Sequence, residues 1–170
     1  MEFKNYIIRK ATKDDCNELA VLKRQVWETT YRGIYSDTKI DSYNYAEQEE
    51  KFKKLVKSRT QHLYIATFNE TPIAYMCYGE SLRPFRTYKN EIILFYIQKE
   101  HQGQGLGRAL FNLGVESLRK MGTNQFIISC NKYNHPAQGF YEKMGGKLVH
   151  IDDDNEDKSI PQVKYLYQIN

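Results

Sequence analysis

The chain has 170 residues, a length that suits one domain with a sizeable buried core, and 41% of them are hydrophobic against 27% charged. A net charge of +4, with no run of Lys and Arg, is too small and dispersed for a nucleic-acid-binding surface. The three cysteines, Cys16, Cys77 and Cys130, lack metal-ligand spacing and point to reduced thiols in a cytoplasmic setting, with no metal site.

Along the chain, Tyr6 to Ala11 reads as a first strand. Charges every few residues over Met1 to Lys10 argue against a signal peptide, and no window approaches a membrane span. Thr12 then suits a helix cap, with Asp14 and Asp15 in the first turn and Leu19, Leu22 and Val26 at helical spacing before Gly33 breaks the pattern. A polar, tyrosine-rich stretch leads to a second helix over Tyr45 to Lys57, with Phe52, Leu55 and Val56 as its apolar stripe. Three strands follow. His62 to Phe68 and Ile73 to Tyr78 flank a turn at Asn69-Glu70-Thr71-Pro72, and Glu91 to Ile97 is apolar on both faces, as in a central strand. Beyond a glycine-rich turn come a helix over Leu106 to Met121, a strand over Gln125 to Cys130 and a short helix over Pro136 to Met144. Two final strands, Lys147 to Ile151 and Val163 to Ile169, flank an acidic loop that reads as a solvated hairpin tip. The predicted order is β-α-α-β-β-β-α-β-α-β-β in a single domain spanning residues 1–170, of the α/β (α+β) class.

The turn Gln102-Gly103-Gln104-Gly105-Leu106-Gly107-Arg108 lies between a buried strand and an amphipathic helix. A helix start leaves backbone N–H groups unpaired and carries positive potential, so it favours a phosphate. Glycine lets a phosphate approach the main chain, and Arg108 adds a cation at the mouth. The turn lacks the Gly-Lys-Ser/Thr ending of a P-loop, and Arg108 stands where a dinucleotide fingerprint needs its third glycine.

Gln102-x-x-Gly105-x-Gly107 resembles the Gln/Arg-x-x-Gly-x-Gly/Ala signature of the GCN5-related N-acetyltransferase superfamily. Glu91 to Ile97 resembles that family's fourth strand, and Asn134-x-x-Ala137-x-x-Phe140-Tyr141-Glu142-Lys143-x-Gly145 resembles its Asn-x-x-Ala-x-x-x-Tyr-x-x-x-Gly segment. The resemblance implies a twisted, mixed, mostly antiparallel sheet with helices on both faces, splayed where the fourth and fifth strands part. It implies acetyl-CoA as cofactor, its pyrophosphate on the amides of Gln102, Gly103, Gln104, Gly105, Leu106, Gly107 and Arg108. The backbone near Ile97 is then expected at the thioester carbonyl and pantetheine, with Asn134 beside the cofactor, through its amide or by capping the short helix. Two departures stand out. Gly145-Gly146 replaces the family's frequent Gly-Phe, and Lys99 or Glu100 replaces a common proline before the loop.

Attack of an amine on a thioester needs a neutral nucleophile, a polarised carbonyl and a protonated leaving group. By the resemblance, Tyr141 is the general acid; the alternative is a core tyrosine beside Ala137 and Phe140. Glu91 stands where some family members place a general base, and the alternative is a strand-edge acid facing solvent. Cys130, with no His/Asp set, is not read as a nucleophile. The acceptor side falls to the aromatic-rich Trp27, Tyr31 and Tyr35, whose faces bind cations, and Trp27-x-x-Thr30-Tyr31-x-Gly33 is similar to polyamine acetyltransferases of the family. The expected activity is acetyl transfer to a primary amine of a small molecule. A protein or peptide N-acetyltransferase and a non-catalytic acyl-CoA-binding module are the alternatives, and the resemblance leaves room for a homodimer.

Overall fold

A computed structural model describes residues 6–169; the first five residues of the charged N-terminal segment lie outside the described residues. Seven strands form one open sheet in the order β1-β2-β3-β4-β5-β7-β6. These are β1 (Ile7–Lys10), β2 (Gln61–Phe68), β3 (Thr71–Phe85), β4 (Tyr88–Ile97), β5 (Gln125–Asn131), β6 (Lys147–Ile151) and β7 (Gln162–Gln168). Every neighbouring pair is antiparallel except β4 with β5. Five α-helices accompany them: α1 (Cys16–Val26), α2 (Asp37–Asp41), α3 (Tyr45–Lys57), α4 (Leu106–Lys120) and α5 (His135–Lys143).

Alternation along β3 decides which helices cover which face. Tyr75 and Cys77 point to one side, where Leu19, Leu22 and Val26 of α1 and Phe52 of α3 complete a buried cluster. Met76 and Tyr78 point to the other, against Leu110 and Leu118 of α4 and Phe126 and Ile128 of β5. At Gly114 the helix backbone comes so close that a Cβ would stand 3.0 Å from the Met76 sulfur and 3.1 Å from Ile92 Cδ1.

Three features differ from the reading of the sequence. The tyrosine-rich stretch holds the five-residue α2, with Ser36 accepting from the Lys39 amide as its cap. Before it, α1 runs into a π-helical turn, Trp27–Tyr31, that re-aims both aromatics. Strands β3 and β4 also run past Tyr78 and start before Glu91, making a long hairpin over residues 79–90 with a turn at Arg86 (φ 52°). Its ladder is interrupted between Glu80 and Phe85, so Pro84 breaks no pairing there. The N-terminal half is anchored by Arg9, whose guanidinium grips both Asp15 oxygens at 2.7 and 2.8 Å and holds that carboxyl down to about 2.

The departure at Gly146 has a structural counterpart. Tyr167 of β7, stacked on Phe126 at 4.8 Å, donates from its hydroxyl to the Tyr141 carbonyl at 2.7 Å. A Cβ on Gly146 would stand 2.6 Å from that hydroxyl oxygen and 2.9 Å from the same carbonyl. The β7 tyrosine therefore fills the space that a larger residue after Gly145 would take. Gly146→Ala is expected to cost about 1–3 kcal/mol by overpacking, and thermal unfolding should show a fall in Tm of roughly 2–12 °C.

Candidate active site

Strands β4 and β5 are paired at two rungs only, Glu91 with Ile127 and Ile92 with Ile128. Beyond Ile92 the strands part. A bulge opposite Cys77–Tyr78 shifts the facing of β4, and its remaining residues pair with β3 alone. The result is a cleft whose two arms are the free edge of β4 up to Ile97 and the end of β5 leading into α5.

At the mouth of the cleft lies the glycine turn. Gly103 and Gly105 adopt φ of +72° and +88°, and open space surrounds the position of a Cβ at each. Gly105 is the N-cap of α4, with no side chain bonded to the first amides and no acid in the first turn. Gly107 is closed in, its Cβ position 3.3 Å from Ile97 Cδ1 and 3.4 Å from the Phe140 ring. The side chains named from the sequence divide into two groups. Gln102 donates to the Ile97 carbonyl at 2.9 Å, Gln104 bonds the Glu100 carbonyl and the Tyr6 hydroxyl at 2.8 Å each, and Leu106 is buried in the core. Those three shape the turn and leave their backbones to the cleft. Arg108 alone presents an exposed charged side chain there. Open glycines, unbonded helix amides and an adjacent cation fit a pyrophosphate, and the parted strands fit the narrow arm that follows it.

Tyr141 stands on α5 at the inner end, buried at 4% exposure among Phe95, Phe140 and Tyr165. Its carbonyl is spent on Tyr167 and Gly146, whereas its hydroxyl has no hydrogen-bond partner among the described residues. Burial pushes the phenol well above its ordinary value, so it holds its proton at neutral pH. Asn134 caps α5 by accepting from the Ala137 amide at 3.3 Å, and its side chain also meets the Tyr31 hydroxyl. Tyr31 thus lies close to both Asn134 and Tyr96 of β4. Tyr96 was legible only as part of an apolar strand, since nothing in such a run marks which residue lies at the opening.

Glu91 lies one rung below the opening, on the face opposite Ile92. Ser81 donates to its Oε2 at 2.5 Å, and Ser129 lies beside it in the same pocket. Burial is the larger influence and pushes the carboxyl up, while the serines and the charge of Lys164 pull it down. It is thus no solvent-facing edge acid. Cys130, nearby on β5, is pushed up to about 12 by burial, which keeps it a thiol and no nucleophile.

Of the three aromatics assigned to the acceptor, Tyr35 lines a groove of about 470 Å³ with Ile34, Ser36, Glu156, Asp157 and Lys158. Tyr31 stacks on Tyr35 at 4.4 Å and points inward, and Trp27 supports Tyr35 edge-on at 5.5 Å from behind. The acidic loop is not a free tip. Asp152 accepts from the Gln162 amide at 2.8 Å, and Asp154 pairs with Lys132 at 2.9 Å and Tyr133 at 3.0 Å. These bonds fold the loop against the β5–α5 connection and leave Glu156 and Asp157 facing the groove.

The sequence profile of the acetyltransferase (GNAT) family matches residues 6–146. An uncharacterized N-acetyltransferase of Bacillus subtilis, YuaI, is 28% identical over 148 residues, covering 86% of this chain and 83% of that one. The spermidine N(1)-acetyltransferase of Thermoplasma acidophilum is 24% identical over 149 residues, 85% of this chain and 90% of its own. Among solved structures, the PaiA N-acetyltransferase of Thermoplasma acidophilum in complex with coenzyme A superposes with a TM-score of 0.79 at 20% identity, covering 97% and 99% of the two chains. The parted strands, the glycine turn and the matched profile together place the chain in the acetyltransferase (GNAT) family. It is accordingly an N-acetyltransferase that draws its acetyl group from acetyl-CoA. No helix among the described residues is long and apolar enough to cross a membrane.

Proposed function

We propose that this chain, acting as one domain, acetylates a primary amine of a small, polyamine-like cation by direct attack in a ternary complex. The observation that carries this reading is the unpartnered Tyr141 hydroxyl at the inner end of the parted strands, with Glu91 one rung below the opening. Acetyl-CoA, when bound, supplies a thioester carbon open to the amine and a thiolate leaving group. The amides of Gln102 to Arg108 and the Arg108 guanidinium would hold its pyrophosphate, and the Ile97 backbone and Asn134 would line its arm. Glu91 accepts the proton of the acceptor ammonium at a carboxylate oxygen, directly or through a water. Tyr141 keeps a proton on its hydroxyl oxygen, ready for the departing sulfur. Direct attack, without an acyl-enzyme, is supported by the protonated state of Cys130.

The polyamine reading rests on the groove. Tyr35 already takes the Lys39 ammonium 4.9 Å from its ring centre, so that ring accepts cations, and Glu156 and Asp157 supply negative charge alongside. Its relative from Thermoplasma acidophilum named as a spermidine acetyltransferase supports the same class. Neutralising both acids, as Glu156→Gln with Asp157→Asn, is expected to raise KM for spermidine about tenfold, as lost charge complementarity weakens the encounter. Coenzyme A affinity should hold. Steady-state kinetics with an unaltered KM for spermidine would remove the groove from the acceptor site.

A further inference from the structure

Glu91 lines a small, partly open cavity of about 10 Å³, walled by Ser81, Asn90, Glu91, Ser129 and Lys164 beneath the hairpin over residues 79–90. That volume is about the size of one water, and the walls offer it several polar partners. The hairpin is held down at its tip, where Phe85 packs on the His150 ring of β6 at 5.2 Å. Beneath it Lys164 of β7 lies 5.6 Å from the centre of the same Phe85 ring and donates to Ser129 Oγ at 3.3 Å. Ser129 and Glu91 line the same cavity. Among the described residues Lys164 makes no direct ion pair, and what it meets is an aromatic face, a serine and the fields of Glu91 and Asp152.

The groups facing Glu91 are few. Strand β3 brings Cys77, which burial pushes up to about 12 and keeps neutral, and the exposed, solvent-screened Arg83. Strand β4 brings Tyr88, β5 only Ile127 and Ser129, and β7 brings Lys164. Of the two cations lining the cavity, Lys164 is the less exposed.

We propose that Lys164 is a positioning residue for the transfer reaction, which together with Ser129 holds the Glu91 carboxylate in place and ionised beneath the hairpin. This rests on Glu91 as the base that receives the acceptor's proton. Lys164 itself touches neither the cleft nor the groove lined by Tyr35.

The test is a carbon-13 NMR titration of the Glu91 carboxyl in the whole protein, assigned by its loss in Glu91→Gln, alongside the pH profile of kcat/KM. In Lys164→Met the Glu91 carboxyl should bind its proton about tenfold more tightly, and the acid limb of kcat/KM should move up with it. Lys164→Arg should restore both, which a purely structural loss would not. Ser129→Ala keeps the ammonium but cuts the link, and should move the NMR midpoint in the same direction even where Lys164→Met folds poorly. An unmoved Glu91 midpoint in both variants overturns the proposal. A midpoint that moves while the acid limb stays put upholds the coupling and removes Glu91 from the role of base.

Discussion

Replacing Tyr141 with phenylalanine is expected to lower kcat by about 10²–10³-fold, the range for loss of a positioned general acid. Coenzyme A affinity should stay within a factor of two or so, because the cofactor's binding groups lie elsewhere, on the glycine turn and the edge of β4. Stability should hardly change. The ring keeps its contacts with Phe140 at 5.8 Å and Tyr165 at 5.9 Å. The hydroxyl that disappears has no protein partner among the described residues, so its removal strands no buried donor or acceptor. The bonds that fix this part of α5 run to the Tyr141 carbonyl, which the substitution leaves in place. Stopped-flow single turnovers, which separate chemistry from product release, provide the check. Full activity in Tyr141→Phe would return this residue to the core.

Glu91→Gln carries the second large effect. Burial pushes the Glu91 carboxyl above the ordinary range, so the base is lost as pH falls through that raised value. Wild-type kcat/KM should therefore show an acid limb above the usual carboxylate range and a plateau on its alkaline side. In Glu91→Gln the limb should vanish and kcat/KM near pH 7 should fall about 10²-fold. Activity should recover towards high pH, where the acceptor amine sheds its proton unaided. Folding should survive, since glutamine keeps an acceptor oxygen for Ser81, now 2.5 Å from the carboxylate, and removes a buried charge. A pH profile unchanged by the substitution would point to a different base.

How far these residues were legible in the sequence follows from how local their physics is. The glycine turn was legible because positive φ at Gly103 and Gly105 and an open cradle for a Cβ demand glycine at set positions. Helix α4 was legible because Leu110 and Leu118 recur on a single buried face. The hairpin over residues 79–90 was not, because it projects past the core, where alternation fades and Pro84 and a broken ladder mimic a loop. The pocket of Glu91 failed to show for a different reason. Ser81, Ser129 and Lys164 come from three strands, and only the order β3-β4-β5-β7 puts them beside one carboxylate. The acidic loop is solvated, as its run of acids reads, with residues 153–158 exposed. Its bonds to Lys132, Tyr133 and the Gln162 amide connect it to positions the sequence separates. Tyrosine, with 14 copies, suits pocket walls and interfaces as well as a core. The structure uses it for both wall and core, with Tyr35 on the groove and Tyr75 and Tyr165 fully buried.

The most direct measurement is free-thiol release from acetyl-CoA across a panel of polyamines, aminoglycosides, amino acids and short peptides. The account predicts release driven by a polyamine, with double-reciprocal lines that intersect when both substrates are varied, as a ternary complex requires. Release driven by peptides alone, or parallel lines that report an acetylated enzyme, would contradict it.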